Sequence, residues 1–210
     1  MERVVLEHWN RFYSSRAVDE TGFWEEIPEP SLRLIDRCAL GADEPIIDAG
    51  GGASRLVDCL IDRGFRNLTV VDISQVALDR LRQRVGDSTV RTIQADLASP
   101  TALDDLVGVA LWHDRAVLHF LVEPRQRAAY GEVVRRVVRP RGFVALAAFA
   151  LAGAQECSDL PVHNYDAAEF SEILGPEFAL VESFDHLYVN RDGDPRPFVY
   201  ALFRRTAVAP

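Results

Sequence analysis

Apolar positions recur along this chain with two periods. From residue 45 onward, short β-branched apolar runs alternate with stretches whose apolar residues return every three or four positions. That alternation predicts the strands of a parallel sheet joined by crossover helices. "PIID" (45–48) predicts a short buried strand, and "SRLVDCLIDRG" (54–64) a helix stopped by Gly64. "NLTVVDI" (67–73) reads as the second strand, and "SQVALDRLRQRVG" (74–86) as a helix with Ser74 at its N-cap and Gly86 at its end. "STVRTIQAD" (88–96) is the third strand, "SPTALDDLVG" (99–108) a short helix, and "VALWHDRAV" (109–117) holds a fourth strand ending near His113. A helix follows over 123–140, with Pro124 at its start, and "RGFVALAAFA" (141–150) is the fifth strand.

Both ends depart from this rhythm. Near the start, "VVLEHWNRFYSS" carries Val5, Trp9, Phe12 and Tyr13 at helical spacing. "PEPSLRLIDRCAL" follows, with Pro30 in a first turn, Leu32, Ile35, Cys38 and Ala39 on one face, and Gly41 as its stop. Past residue 150 come a loop (151–165), a short helix capped by Asp166, and two long strands (178–190 and 197–205) joined by "RDGDPR", a reversing connection. The expected architecture is α/β: a Rossmann-like, doubly wound seven-stranded sheet, mostly parallel with a C-terminal antiparallel hairpin, in three α/β/α layers.

Composition narrows the class. The chain has 210 residues, 48% of them apolar, enough for one sizeable core. No apolar run approaches the roughly 20 residues that span a bilayer, and the apolar stretch 142–154 reads as a buried strand. The start lacks a signal-peptide layout. A net charge of −9 argues against a broad nucleic-acid surface. The scattered cysteines, Cys38, Cys59 and Cys157, form no CxxC pair, which points to a reducing, cytoplasmic setting and no metal site.

The chemistry gathers where strands end. The first strand ends in Asp48 and runs into Gly50, Gly51 and Gly52, with a helix starting near Ser54. Such a strand-loop-helix admits a nucleotide against the backbone, although a tight turn with no ligand has the same pattern. A dinucleotide loop needs glycine where Arg55 stands, and the Walker Gly-Lys-Ser/Thr is absent. Asp72 ends the second strand, where a carboxylate can accept hydrogen bonds from ribose hydroxyls. Asp96 follows the third strand. Each acid alone also reads as a helix cap or a solvated loop residue; three at successive strand ends do not.

Asp48-Ala49-Gly50-Gly51-Gly52-Ala53-Ser54 resembles motif I of the class I S-adenosylmethionine-dependent methyltransferases, D-x-G-x-G-x-G, with Ser54 in place of the last glycine. The resemblance covers roughly residues 28–205. "HWNRFY", "WEEIPEPSLRLI", "LWHDRAVLHFL", "CSDLPVHNYD" and "FVYALFRR" are similar to a small bacterial-type group within it. Ala110 departs from the Asp that many relatives carry there. The resemblance implies one methyltransferase domain over 1–210: a helical lid and first helix (1–44), a cofactor core (45–149), and an acceptor loop, helix and hairpin (150–210). It implies S-adenosylmethionine without a metal. Asp48, Gly50, Gly51, Gly52, Asp72, Ile73 and Trp112 would hold the cofactor, with Asp96 at the adenine amino group and Leu97 offering backbone.

The fourth strand ends in Trp112, His113, Asp114 and Arg115, beside where the methyl group would lie. His113 or Asp114 can orient or deprotonate an acceptor, and Arg115 can clamp a carboxylate. An internal Asp–Arg pair holding the loop is the competing explanation. His119, one helical turn on, reads as facing the core. Of the N-terminal aromatics, Trp9 and Phe12 read as helix packing, while Tyr13 and Trp24 are lid candidates over the site. Cys157 and His163 sit on the loop expected to cover the acceptor, with Cys157 as lining only. A small-molecule acceptor is expected, with neither nucleic acid nor membrane as partner. Protein-lysine methylation, or cofactor binding without catalysis, is the alternative.

Overall fold

The computed structural model describes residues 2–86 and 90–207. Apart from the helix expected over 99–108 and a small hairpin within the expected loop 151–165, its elements run in the order the periodicity predicts. They are α1 (Glu2–Ser15), α2 (Glu29–Arg37), β1 (Ile46–Ala49), α3 (Leu56–Asp62), β2 (Leu68–Asp72), α4 (Gln75–Val85), β3 (Arg91–Gln94) and β4 (Val109–Arg115). After these come α5 (Pro124–Val137), β5 (Val138–Phe149), a small hairpin of β6 (Glu156–Cys157) and β7 (Leu160–Pro161), α6 (Ala167–Leu174), β8 (Phe178–Val189) and β9 (Pro195–Arg205). Ser88 and Thr89 of the predicted third strand lie outside the described residues.

Seven strands form one sheet in the order β3-β2-β1-β4-β5-β9-β8. The first five are mutually parallel, and β9 and β8 close the far side antiparallel. β1 and β2 are buried along their whole length, as a parallel sheet covered on both faces requires. One face packs Leu32 and Ile35 of α2, Leu56 and Leu60 of α3 and Leu78 and Leu81 of α4. The other packs Tyr130, Val133 and Val137 of α5 and Phe170 and Leu174 of α6. The result is the expected three-layer α/β/α arrangement.

Local chemistry sets most element ends. Ser74 Oγ accepts from Ala77 N at 3.2 Å, and Asp166 Oδ1 from Glu169 N at 2.9 Å, capping α4 and α6. Two expectations are corrected. α2 ends before Gly41, because Ala39 turns left-handed (φ +48°) and is exposed rather than on the buried face. Residues 99–108 form successive turns instead of a helix: Asp96 Oδ1 accepts from Ala98 N at 2.9 Å, and Leu103 takes φ +61°. A left-handed residue interrupts helical hydrogen bonding. Among the described residues no helix is long and apolar enough to cross a membrane.

Candidate active site

The parallel strands deliver Asp48, Asp72 and Arg115 to one edge of the sheet. Between β1 and α3 the chain makes a tight loop in which Gly50 N donates to Val71 O at 2.6 Å. Each glycine there has its own neighbour. A Cβ on Gly50 (φ +68°) would meet Val117 Cγ2 at 1.8 Å, one on Gly51 would meet Asp48 Oδ2 at 2.1 Å, and one on Gly52 would meet Asp72 Oδ2 at 2.6 Å. Side chains are therefore excluded by the protein's own acids and by the turn after β4, not only by an approaching ligand.

Beyond this loop lies a cavity of about 120 Å³. Gly50, Asp72, Ile73, Asp96 and Leu97 line its strand side. Trp9 and Tyr13 of α1 close it from above, together with Val117 and Phe120. Asp72 is buried, and burial pushes its carboxyl up to about 6, although Ser74 N and Gly52 N both donate to it, at 2.8 and 3.2 Å. Asp72 thus ties the glycine loop to the start of α4. α1 is docked there by Asn10, whose Oδ1 accepts from Ser74 Oγ at 2.8 Å.

A second cavity continues from the first across Tyr13, Phe23, Gly50 and Arg115. Asp48 and His113 stand side by side in it. His113 Nδ1 lies 2.8 Å from Asp48 Oδ1, and its Nε2 lies 2.9 Å from Ser31 Oγ of α2. Asp48 Oδ2 is buried without a protein partner. Arg115 comes from the next inward position of β4. Its Nε is 2.9 Å from Glu25 Oε2 and 3.1 Å from the Tyr200 hydroxyl, and its Nη1 donates to Phe23 O at 3.2 Å. Arg115 Nη2 is also buried without a protein partner. One cleft therefore holds an acidic oxygen and a guanidinium nitrogen of opposite charge, each unsatisfied. Buried groups of this kind are rare unless something else completes them.

Not every predicted residue joins this cleft. Trp112 and Asp114 lie on the opposite face of the sheet, since neighbours on a strand point to opposite sides. Trp112 is fully buried in the core, where its Nε1 donates to the Tyr130 hydroxyl at 2.9 Å, and that hydroxyl donates to Asp114 Oδ2 at 2.6 Å. Asp114 Oδ1 accepts from Val117 N at 2.9 Å and so shapes the turn that lines the first cavity. The expectations of a cofactor contact for Trp112 and an acceptor contact for Asp114 are corrected accordingly. His163 is corrected too. It pairs with Glu169 and packs edge-on against Tyr165, away from the cleft. Gly52 lines none of these cavities and acts through Asp72. Trp24 lines the second cavity, and its carbonyl accepts from the Tyr188 hydroxyl at 2.7 Å. Cys157 lines the first. Trp9 packs with Phe12 and Tyr13 as expected and also forms part of a cavity wall, and Ser31 and Glu25 are site residues that sequence reasoning missed. Among the described residues, no group of three or more His, Cys, Asp or Glu is placed to hold a metal ion.

Comparison with known proteins shows what the chain is similar to. Residues 46–142 match the model of the methyltransferase domain family. A Drosophila melanogaster eEF1A lysine and N-terminal methyltransferase homolog is 26% identical over 145 residues, a stretch that covers 66% of this chain and 21% of that protein. The chain thus spans about a fifth of that relative's length. A SAM-dependent methyltransferase from Anabaena variabilis superposes with a TM-score of 0.75 at 14% identity, covering 96% of this chain and 95% of its own. The Burkholderia thailandensis 1,6-didemethyltoxoflavin-N1-methyltransferase, solved with 1,6-didemethyltoxoflavin and S-adenosylhomocysteine, superposes at 0.69 with 19% identity, over 98% and 89% of the two chains.

Proposed function

We infer, for a chain carrying the methyltransferase domain of the class I S-adenosylmethionine-dependent fold, that its activity is methyl transfer to a small-molecule acceptor. The observation that carries this reading is the pair of unsatisfied buried atoms, Asp48 Oδ2 and Arg115 Nη2, in one cleft. A methionine tail presents an ammonium and a carboxylate, and these two atoms complement it in charge and hydrogen bonding. The adjoining cavity suits the nucleoside, with Asp72 at the ribose and Asp96 and Leu97 at the base.

When bound, S-adenosylmethionine would supply a sulfonium methyl whose carbon an acceptor's lone pair can attack in line, the carbon–sulfur electron pair passing to sulfur. The chain's own residues bind, orient and exclude water. Alignment and desolvation are the terms it contributes, and effective molarities of about 10⁵–10⁸ M set their scale. The neighbour that methylates 1,6-didemethyltoxoflavin favours a small acceptor. The curated relative with a lysine and N-terminal methyltransferase name favours a protein acceptor as the second reading.

Calorimetry tests the cofactor assignment. S-adenosylhomocysteine is expected to bind at one site, at least about tenfold tighter than 5′-methylthioadenosine, which lacks the amino-acid tail. In Arg115→Leu that preference is expected to vanish. Equal affinity for the two compounds in the wild-type chain would remove the tail assignment. Incubation of a cell lysate with methyl-labelled cofactor separates the two acceptor readings, because label in the low-molecular-mass fraction supports the first and label in protein bands the second.

A further inference from the structure

A third cavity, of about 210 Å³, adjoins the first, and Phe23, Ala116 and Cys157 line both. Ala116 takes φ +72° at the end of β4, a left-handed conformation that costs free energy in any residue but glycine. Its N–H is nonetheless fixed on Ala147 O at 2.8 Å. This sharp bend sets Ala116, with Phe23 and Cys157, at the partition where the two cavities meet. Cys157 reaches the same partition from the β6–β7 hairpin, whose tip residues Ser158 and Asp159 are both left-handed, φ +51° and +63°.

His119 lies in the wall of this third cavity. It is fully buried, and neither Nδ1 nor Nε2 meets a protein partner. The rings of Phe120 and Phe149 pack against it at 4.4 and 4.7 Å. Burial pulls its pKa down to about 3, and Arg115 adds to the shift, so the ring is neutral at physiological pH. A neutral imidazole carries one donor and one acceptor, and here both go unused by the protein.

The remaining walls narrow the class of ligand. Phe12, Phe149, Tyr188 and Phe198 give part of the cavity wall aromatic rings, and charged residues of both signs make up much of the rest. The ring faces already carry cations: Arg16 lies over Phe12 at 4.6 Å, and Arg115 over Tyr188 and Phe198 at 5.2 and 4.9 Å. A cationic acceptor would find those ring faces already occupied. The charged wall carries both signs, Arg16 and Arg196 against Glu156, Asp192 and Asp194, with Asp194 paired to Arg196 at 3.3 Å, so it favours neither a cation nor an anion. Neutral, flat molecules with a polar edge meet neither difficulty.

We propose that this cavity seats the methyl acceptor as a neutral aromatic or heteroaromatic molecule whose N–H or O–H group hydrogen-bonds to the His119 ring. The proposal rests on the methyl-transfer reading above and assigns its substrate class. The hydrogen bond to His119 orients the acceptor atom's lone pair toward the partition at Ala116. As the lone pair bonds the methyl carbon and the carbon–sulfur pair leaves with sulfur, the His119 nitrogen takes the acceptor's proton along that hydrogen bond and passes it on to solvent.

The test uses the full chain, labelled with ¹⁵N-histidine and saturated with S-adenosylhomocysteine. Phenol, 2-hydroxypyridine and benzimidazole serve as neutral probes, benzoate and butylamine as charged ones. The neutral probes are expected to shift the His119 ring-nitrogen resonances and to bind His119→Phe at least about tenfold more weakly. His119→Gln is expected to restore part of that loss, and both variants keep wild-type affinity for S-adenosylhomocysteine. The proposal is overturned if the neutral probes bind His119→Phe as well as wild type, if only charged probes move His119, or if no probe moves it at millimolar concentration. Should His119→Phe not fold, the wild-type resonances decide. Failure of S-adenosylhomocysteine itself to bind would instead remove the cofactor reading underneath.

Discussion

Asp48 and His113 are direct partners across the parallel pair of β1 and β4, and their side chains meet at 2.8 Å in the floor of the cleft. Ser31 of α2 holds the other ring nitrogen at 2.9 Å. His113 is thereby fully engaged in positioning a carboxylate that the cofactor's amino group would meet. On the proposed placement of the cofactor it faces the methionine tail rather than the acceptor.

His113→Ala is expected to leave the Asp48 carboxylate less supported and to weaken S-adenosylhomocysteine by about 1.5–3 kcal/mol, roughly ten- to a hundredfold in Kd. The acceptor's KM should be nearly unchanged. A comparable loss in acceptor KM, with cofactor affinity intact, would return His113 to the acceptor side.

Cofactor affinity should depend on pH through Asp72. Its carboxyl sits at about 6 in the free protein because it is buried, and ribose hydroxyls donate best to the ionised form. Below about pH 6 the free protein holds Asp72 protonated, so affinity should fall, by up to about tenfold per pH unit; above it the curve should be flat. Calorimetric titrations from pH 5 to 8 measure the slope, and Asp72→Asn should bind weakly with no such slope.

The chain Trp112–Tyr130–Asp114 predicts a stability effect with little change in binding. Tyr130→Phe leaves the Trp112 Nε1 donor and the Asp114 Oδ2 acceptor buried without partners, for a loss of about 2–4 kcal/mol in urea unfolding. Asp114, also raised to about 6 by burial, adds a pH signature. A carboxyl raised above its unfolded value favours the folded state most below about pH 4, and that contribution is lost as pH rises through about 6. For a shift of about two units it amounts to at most about 3 kcal/mol. Asp114→Asn should flatten that part of the stability profile.

The glycine loop offers an internal comparison. Gly51→Ala drives a Cβ to 2.1 Å from Asp48 Oδ2, whose carboxylate is tethered to His113, so cofactor affinity should drop about tenfold or more. Gly64→Ala meets nothing within 4 Å at φ +87° and should cost only about 1 kcal/mol of stability, with affinity unchanged. Equal effects of the two substitutions on cofactor binding would refute the packing account of the loop.

Much of this architecture is legible in residue order. Parallel strands end on one edge, so Asp48, Asp72 and Asp96 had to share it, and the turn residues at 191–194 announce the reversal into β9. Strand parity is equally legible: Trp112 and Asp114 fall on one face, His113 and Arg115 on the other, and grouping all four overlooks a period of two. The role of Ser31 needs α2 folded against β4, a contact 82 residues apart in sequence. His119 has no signature at all in the sequence, because an imidazole with both nitrogens unused differs from an ordinary core histidine only once its neighbours are in place. The stop of α2 at Ala39 and the turns over 99–108 depend on left-handed residues that propensity does not foresee.

Arg115 grips Phe23 O and Glu25, while the neighbouring Trp24 carbonyl is fastened by Tyr188. Peeling the roof back would strip a deeply set guanidinium of two anchors at once. On the methyl-transfer reading, variants that loosen the roof should therefore exchange spent nucleoside faster while gripping fresh nucleoside less firmly.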